Sequence, residues 1–96
     1  MLIQQKQDGS KGSFYIEENG TMLAEMTYSM TGTDLMIIDH TEVSDALRGK
    51  NVGYQLVNSA VEYARTNKIK ILPLCTFAKS VFDKKKDELG DVLRAN

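Results

Sequence analysis

The sequence predicts an α+β fold: a mixed, mostly antiparallel sheet with a parallel strand pair, followed and crossed by two main helices. Three observations predict it. Apolar residues alternate with mostly polar ones from Thr21 to Met30, the two-residue period of a half-buried strand. An Asn19-Gly20 pair separates that stretch from Ser13-Phe14-Tyr15-Ile16-Glu17, and both residue types accept the positive φ of a type I′ hairpin turn. Beyond residue 50 the period lengthens: Val52, Leu56, Val57, Ala60, Val61 and Ala64 recur at three and four residues, the signature of an amphipathic helix.

The remaining elements follow in order. A weaker strand is expected over Leu2 to Lys6. Met22, Met26 and Met30 recur every four residues, which on a strand places them on one face, in the core. Gly32 marks a turn, and Leu35-Met36-Ile37-Ile38 is a continuous apolar run, as expected of a strand buried on both faces. The helix from Val52 should stop near Asn67. Ile69 to Leu74 reads as a short strand, and Phe77 to about Glu88 as a second helix that buries Phe77, Val81 and Phe82 and ends at Gly90. A strand–helix–strand unit of this length makes a parallel pair. Its carboxyl ends, Asp39-His40-Thr41-Glu42-Val43 and Leu74-Cys75-Thr76, should border a ligand crevice.

Bulk properties narrow the function. At 96 residues the chain reads as one domain, 1–96, and 42% hydrophobic with 26% charged residues is a globular composition. A net charge of −1 supplies no field for nucleic acid or anionic lipid, so neither is expected as a partner. The single cysteine, Cys75, allows no internal disulfide and too few soft ligands for structural zinc, so no metal is expected. No stretch reaches the roughly 20 apolar residues of a membrane span, and Met1-Leu2-Ile3-Gln4-Gln5 does not open a signal peptide. The expectation is a cytoplasmic protein, monomeric or weakly dimeric through a free strand edge.

Between the apolar strand and the first helix lies Arg48-Gly49-Lys50-Asn51-Val52-Gly53. The first amides of a helix lack internal partners and carry partial positive charge, so they suit an anion. Two glycines let phosphate approach the backbone, and Arg48 and Lys50 add charge. The turn matches neither the Walker pattern nor the three-glycine dinucleotide fingerprint. Read alone, it fits a plain strand-to-helix connection slightly better than a phosphate site; with the buried strand before it and the strong helix after it, the two fit about equally well.

The segment resembles the coenzyme A signature of the GNAT superfamily, Gln/Arg-x-x-Gly-x-Gly/Ala. Arg48 takes its first position, Gly53 its last, and Asn51 stands where glycine is usual. Asn is among the residues that best tolerate positive φ. With His40-Thr41-Glu42-Val43 and Pro73-Leu74-Cys75-Thr76-Phe77, the stretch from Ile38 to Phe82 looks like a short, single-domain branch of that superfamily. The resemblance implies acetyl-coenzyme A (acetyl-CoA) as acetyl donor, lying in a V-shaped gap between splayed parallel strands. It further implies pantetheine pairing with the strand that carries Val43, and pyrophosphate held by amides of the residues from Lys50 to Gly53, Val52 among them. Pro73, which lacks an amide hydrogen, agrees with the splaying and equally with an ordinary edge strand.

Three side chains are candidates for the chemistry. Cys75 should lie beside the thioester, as acid for the departing thiolate or as nucleophile; the alternative is a small buried hydrophobe. His40, the only histidine, and Glu42 share one face of an extended segment, where either could deprotonate an incoming amine or simply bond a neighbour. Lys84-Lys85-Lys86 reads as a solvated helix end, with a contact to the 3′-phosphate of coenzyme A as the alternative that the resemblance leaves open. The function expected is acetyl transfer from acetyl-CoA to an amine, with a non-catalytic acyl-CoA binding module as the alternative.

Overall fold

The structure, a computed structural model, describes residues 2–94. Five strands, β1 (Gln4–Asp8), β2 (Lys11–Glu18), β3 (Thr21–Thr31), β4 (Leu35–Val43) and β5 (Lys70–Pro73), form one sheet in the order β1-β2-β3-β4-β5. The first four pair antiparallel and β4 pairs parallel with β5. Helix α1 (Val52–Asn67) connects the parallel pair, and α2 (Thr76–Lys84) and α3 (Lys86–Leu89) follow β5.

The hairpin forms as its turn residues require. Glu18 faces Thr21, with Asn19 at φ 54° and Gly20 at φ 80° between them. Helix α1 buries Val52, Leu56, Val57, Ala60, Val61 and Ala64, the predicted stripe. It ends at Asn67 because Lys68 turns left-handed (φ 57°), returning its amide and that of Ile69 to the Ala64 carbonyl.

One core lies between α1, α2 and a single face of the sheet, filled by Phe14, Ile16, Met26, Tyr28, Met36 and Ile38 among others. Among the described residues the opposite sheet face carries no helix, which corrects the expectation for β4. Met36 and Ile38 are fully buried, whereas Leu35 and Ile37, pointing the other way, are only half-buried. The methionines divide similarly. Met26 is buried and Met30 packs partly against the core, but Met22 is 37% exposed. Its displacement follows from a register shift that leaves Leu23 unpaired between Met22–Glu17 and Ala24–Ile16, breaking the alternation.

Two further departures concern the second half. The single predicted helix breaks at Lys85 (φ −116°, ψ 30°) into α2 and α3. Phe77 is 41% exposed, because the buried stripe of α2 is Ala78, Val81 and Phe82 and the preceding residue falls off it.

The carboxyl-terminal stretch is tied back to the core. The Ile71 amide donates to Val92 O and the Arg94 amide to Ile71 O, adding a short parallel bridge on the free side of β5. Arg65 on α1 grips Asp91 with two hydrogen bonds (2.9 and 3.0 Å), reaches Glu62 and donates to the Glu88 carbonyl; Lys70 Nζ donates to Asp91 O. The Arg65 hydrogen bond holds the Asp91 carboxyl below its ordinary range. A depressed folded-state pKa contributes stability that is complete above the ordinary carboxylate pKa and is lost as pH falls through the depressed value. Protection factors for amide exchange at Ile71 and Arg94 should therefore be high at neutral pH and fall on acidification below about 4. Protection factors at both amides that do not change with acidification would show that Arg65 and Asp91 do not hold the segment.

Gly12 supplies a second prediction. A Cβ there would lie 2.5 Å from Tyr28 Cζ and 2.7 Å from the Lys6 carbonyl. Tyr28 is pinned, accepting from Gln5 Nε2 (2.8 Å) and donating to Gln7 Oε1 (2.9 Å). Gly12→Ala should destabilise the fold by about 1–3 kcal/mol in denaturant titration, since neither backbone nor phenol can yield. A change below about 0.5 kcal/mol would contradict this packing.

Candidate functional site

The site begins where β4 and β5 part. Their register runs from Leu35–Lys70 to Ile38–Pro73 and stops there. Pro73 has no amide to give, and the next two amides, Leu74 (3.0 Å) and Cys75 (3.2 Å), both converge on the Ile38 carbonyl. Beyond this point the chain turns into α2, while β4 continues from Asp39 to Val43 with β3 as its only strand partner. One edge of β4 is thus left open over five residues.

A bulge decides which side chains face that opening. Thr27 pairs with His40 but Tyr28 pairs with Ile38, so Asp39 is the extra residue. After it the alternation is reset. Thr41 pairs with buried Met26 and turns to the helix-covered face; His40 and Glu42 turn to the bare face. There His40 Nε2 lies 3.0 Å from Glu42 Oε1, with both side chains well exposed.

The other wall is the turn into α1. After β4 a 3₁₀ turn spans Asp45–Leu47, opened by Ser44, whose hydroxyl accepts from the Ala46 amide. Gly49 is at φ +82° and Asn51 at φ 61°, ψ 29°, so the left-handed conformation that Asn was expected to tolerate is the one it adopts. Asn51 makes no side-chain cap, and its carbonyl receives the Gln55 amide. The Arg48 and Lys50 amides are engaged by Asp45 O and Leu47 O. Among the described residues, no hydrogen bond reaches the amides of Asn51, Val52, Gly53 or Tyr54. Four donors at a helix start, free and convergent, make an anion site.

These amides border a groove of about 420 Å³ that runs past Phe77 to Thr41 and Val43 on β4, within the usual range for small-molecule sites. Phe77 belongs to it through Gly53. A Cβ on Gly53 would sit 2.6 Å from the Phe77 ring, so this glycine makes room for an aromatic wall rather than for a positive φ. Arg48 lies at the rim, its guanidinium 2.7 Å from Asp45 Oδ1 with both side chains largely exposed, so its charge is partly offset by Asp45. Lys50 is exposed in the turn between Gly49 and Asn51 and, unlike Arg48, does not line the groove.

Cys75 caps α2. Its sulfur accepts from the Ala78 amide (3.3 Å) and lies 3.3 Å from Thr41 Oγ1, bridging the two diverging strands. It is half-buried, not sealed in the core. Glu42 and Val43 line a neighbouring hollow of about 380 Å³ with Met22 and Glu25, whereas His40 lines neither space. The structure therefore brings Val43, Arg48, Gly49, Asn51, Val52 and Gly53 to one groove, sets Cys75 behind Thr41 at its end, and keeps His40 and Glu42 across the sheet. Tyr54 and Phe77 are groove residues that the sequence did not single out as such, and Thr41 was expected there only as part of a strand end bordering a crevice. Only the bulge at Asp39 and the missing Cβ of Gly53 reveal two of them. No group of three or more His, Cys, Asp or Glu side chains that could hold a metal occurs among the described residues.

Comparisons agree with this geometry. Residues 13–92 match the family described as GCN5-related N-acetyl-transferase. A solution structure from Staphylococcus aureus described as GCN5-like is 40% identical, with a TM-score of 0.70 over 97% of this chain and 89% of that one. A ribosomal-protein-alanine N-acetyltransferase from Brucella melitensis shares the fold at 14% identity (TM-score 0.67), matched over 93% of this chain but only 65% of its own. A Clostridium acetobutylicum structure determined with acetyl-CoA does so at 18% identity (TM-score 0.61, covering 91% and 64%). A search of curated proteins finds no match.

Asn51 provides the prediction here. At φ 61° a β-branched side chain is strained and glycine is not, so Asn51→Val should cost about 1–2 kcal/mol in chemical denaturation. Asn51→Gly should leave stability within about 0.5 kcal/mol of the parent. Equal stabilities for all three would mean that the turn does not need the left-handed conformation.

Proposed function

Since this chain belongs to the GCN5-related N-acetyltransferase family, we propose that it works as one acetyl-CoA-binding unit and transfers the acetyl group to an amine. The observation that carries this reading is the set of four unengaged amides, Asn51 to Tyr54, opening on a groove that leads to the parted strands. A diphosphate fits there by charge and by donor count. Bound acetyl-CoA supplies an activated acyl group on sulfur.

The chain's own residues divide the remaining work. Asn51, Val52 and Gly53 donate their amides to the diphosphate, Arg48 adds positive charge at the rim and Lys50 from the exposed turn beside it, and Gly49 shapes the turn. The open edge of β4 toward Val43 offers unpaired backbone groups to the amides of the pantetheine arm. Phe77 walls off water. Cys75 holds a proton at Sγ and passes it to the departing thiolate as the amine displaces sulfur from the acyl carbon, the amine's own proton leaving to solvent. The bond from Ala78 N–H and the contact with Thr41 orient that sulfur toward the gap.

His40 and Glu42 act, on this reading, from the far face of the sheet. Glu42, beside Glu25 and Val43, borders the hollow from which a cationic amine would approach, and His40 is paired with it. A second reading, a binding module that does not turn over, is favoured by the bare outer face of the sheet, where no element among the described residues roofs that hollow. The acceptor is an amine of a small molecule or a protein; neither nucleic acid nor membrane is assigned as a partner. No helix among the described residues is long and apolar enough to cross a membrane. A cytoplasmic monomer or weak dimer, with Cys75 kept as a free thiol, is the setting proposed.

Calorimetry should show one acetyl-CoA site with a Kd on the order of 10 μM. Cys75→Ala should keep that Kd while lowering thiol release with an amine panel by roughly 10²-fold, the usual contribution of a positioned proton donor. Absence of binding refutes the whole reading. Unchanged turnover reduces Cys75 to the helix cap it also is, and thioester loss without any transfer favours the binding module.

A further inference from the structure

A second hollow, of about 330 Å³, lies on the far side of Phe77, between the start of α1 and the last turn of α2. It shares Asn51, Tyr54 and Phe77 with the groove, so the two spaces meet at the free amides. Its remaining lining includes Ser80, Lys84 and Lys85, and no carboxylate; Asp83, Asp87 and Lys86 are not part of it. Lys85 is half-buried with its Nζ 5.4 Å from the centre of the Tyr54 ring, a cation–π contact that holds the ammonium over the hollow.

Coenzyme A has two arms on either side of its diphosphate. With the diphosphate at Asn51 to Tyr54, the pantetheine arm must run toward Thr41 and Cys75 to bring the thioester to the parted strands. The adenosine arm leaves the opposite way, and its 3′-phosphate is a monoester carrying about −1.5 to −2 charges at neutral pH. We propose that this hollow takes the 3′-phosphate of the adenosine arm, with Lys84 and Lys85 as its cationic partners and Tyr54 as the surface beneath. The C-terminal dipole of α2 opposes an anion there with about half a unit of negative charge, which two lysines outweigh. The proposal rests on the assignment of the diphosphate to the start of α1. It gives Lys84 and Lys85 a task beyond completing a helix end.

The test compares coenzyme A with 3′-dephospho-coenzyme A by calorimetry at low salt, on the full chain. The wild type should prefer coenzyme A about tenfold, the product of two solvent-screened contacts of about threefold each. Lys84→Ala/Lys85→Ala should bring the ratio to within about twofold while leaving the affinity for the dephospho form unchanged, which also shows that the variant is folded. Lys84→Glu, at an exposed position, should make the dephospho form the tighter ligand, and Lys86→Ala should keep the wild-type ratio. Equal affinities in the wild type, a ratio that survives the double substitution, or an equal loss with Lys86→Ala would each overturn the assignment. Binding of both ligands with no preference defeats this inference alone. Binding of neither defeats the diphosphate site as well.

Discussion

The Ile38 carbonyl is the point on which the site depends. It accepts two amides, from Leu74 and Cys75, directly after the last parallel pair, Ile38–Pro73. An extra rung of sheet would have required an amide that proline cannot provide. The chain instead leaves the sheet, caps α2 with Cys75 and lets β4 run on alone. The gap is thus a consequence of hydrogen-bond accounting at one position. The sheet gives up a ladder there, and an open strand edge of the kind that pairs readily with another backbone is left facing inward.

Around that gap the fold is one-sided. Both main helices sit on one face, where α1 brings its amino terminus to the mouth of the gap, and the other face of the sheet is left bare. The bulge at Asp39 exploits this asymmetry by turning Thr41 toward the helices and the sulfur while His40 and Glu42 look outward. Donor chemistry and any acceptor chemistry are thereby separated by the thickness of a single strand. The charges follow the same economy. Arg48 is partly offset by Asp45, so the anion site relies on backbone donors more than on side-chain cations.

Much of this could be read from local chemistry. Asn19-Gly20 dictated its hairpin, the spacing of Val52 to Ala64 its helix, and Asn51 its left-handed turn, because each signal lies within a few adjacent residues. Features set by distant partners were not readable. A single added residue at Asp39 looks like any other polar strand residue, and only pairing with Thr27 and Tyr28 reveals it. Phe77 reads as core by hydrophobicity, yet its exposure depends on which stripe of α2 meets the sheet. Gly53 reads as a phosphate-loop glycine, while its missing Cβ is required by a ring 24 residues later in the chain. The run Leu35 to Ile38 suggested cover on both faces, and the bare face became evident only from the placement of every helix.

The most direct test of the account is residue-resolved. In a ¹⁵N-edited titration with coenzyme A, the backbone amides of Asn51, Val52, Gly53 and Tyr54 should show the largest shifts, followed by residues of β4 beyond Ile38. The amides of β1 should stay still. Saturable binding whose perturbations bypass those four amides would contradict the account, because the anion would then be held elsewhere.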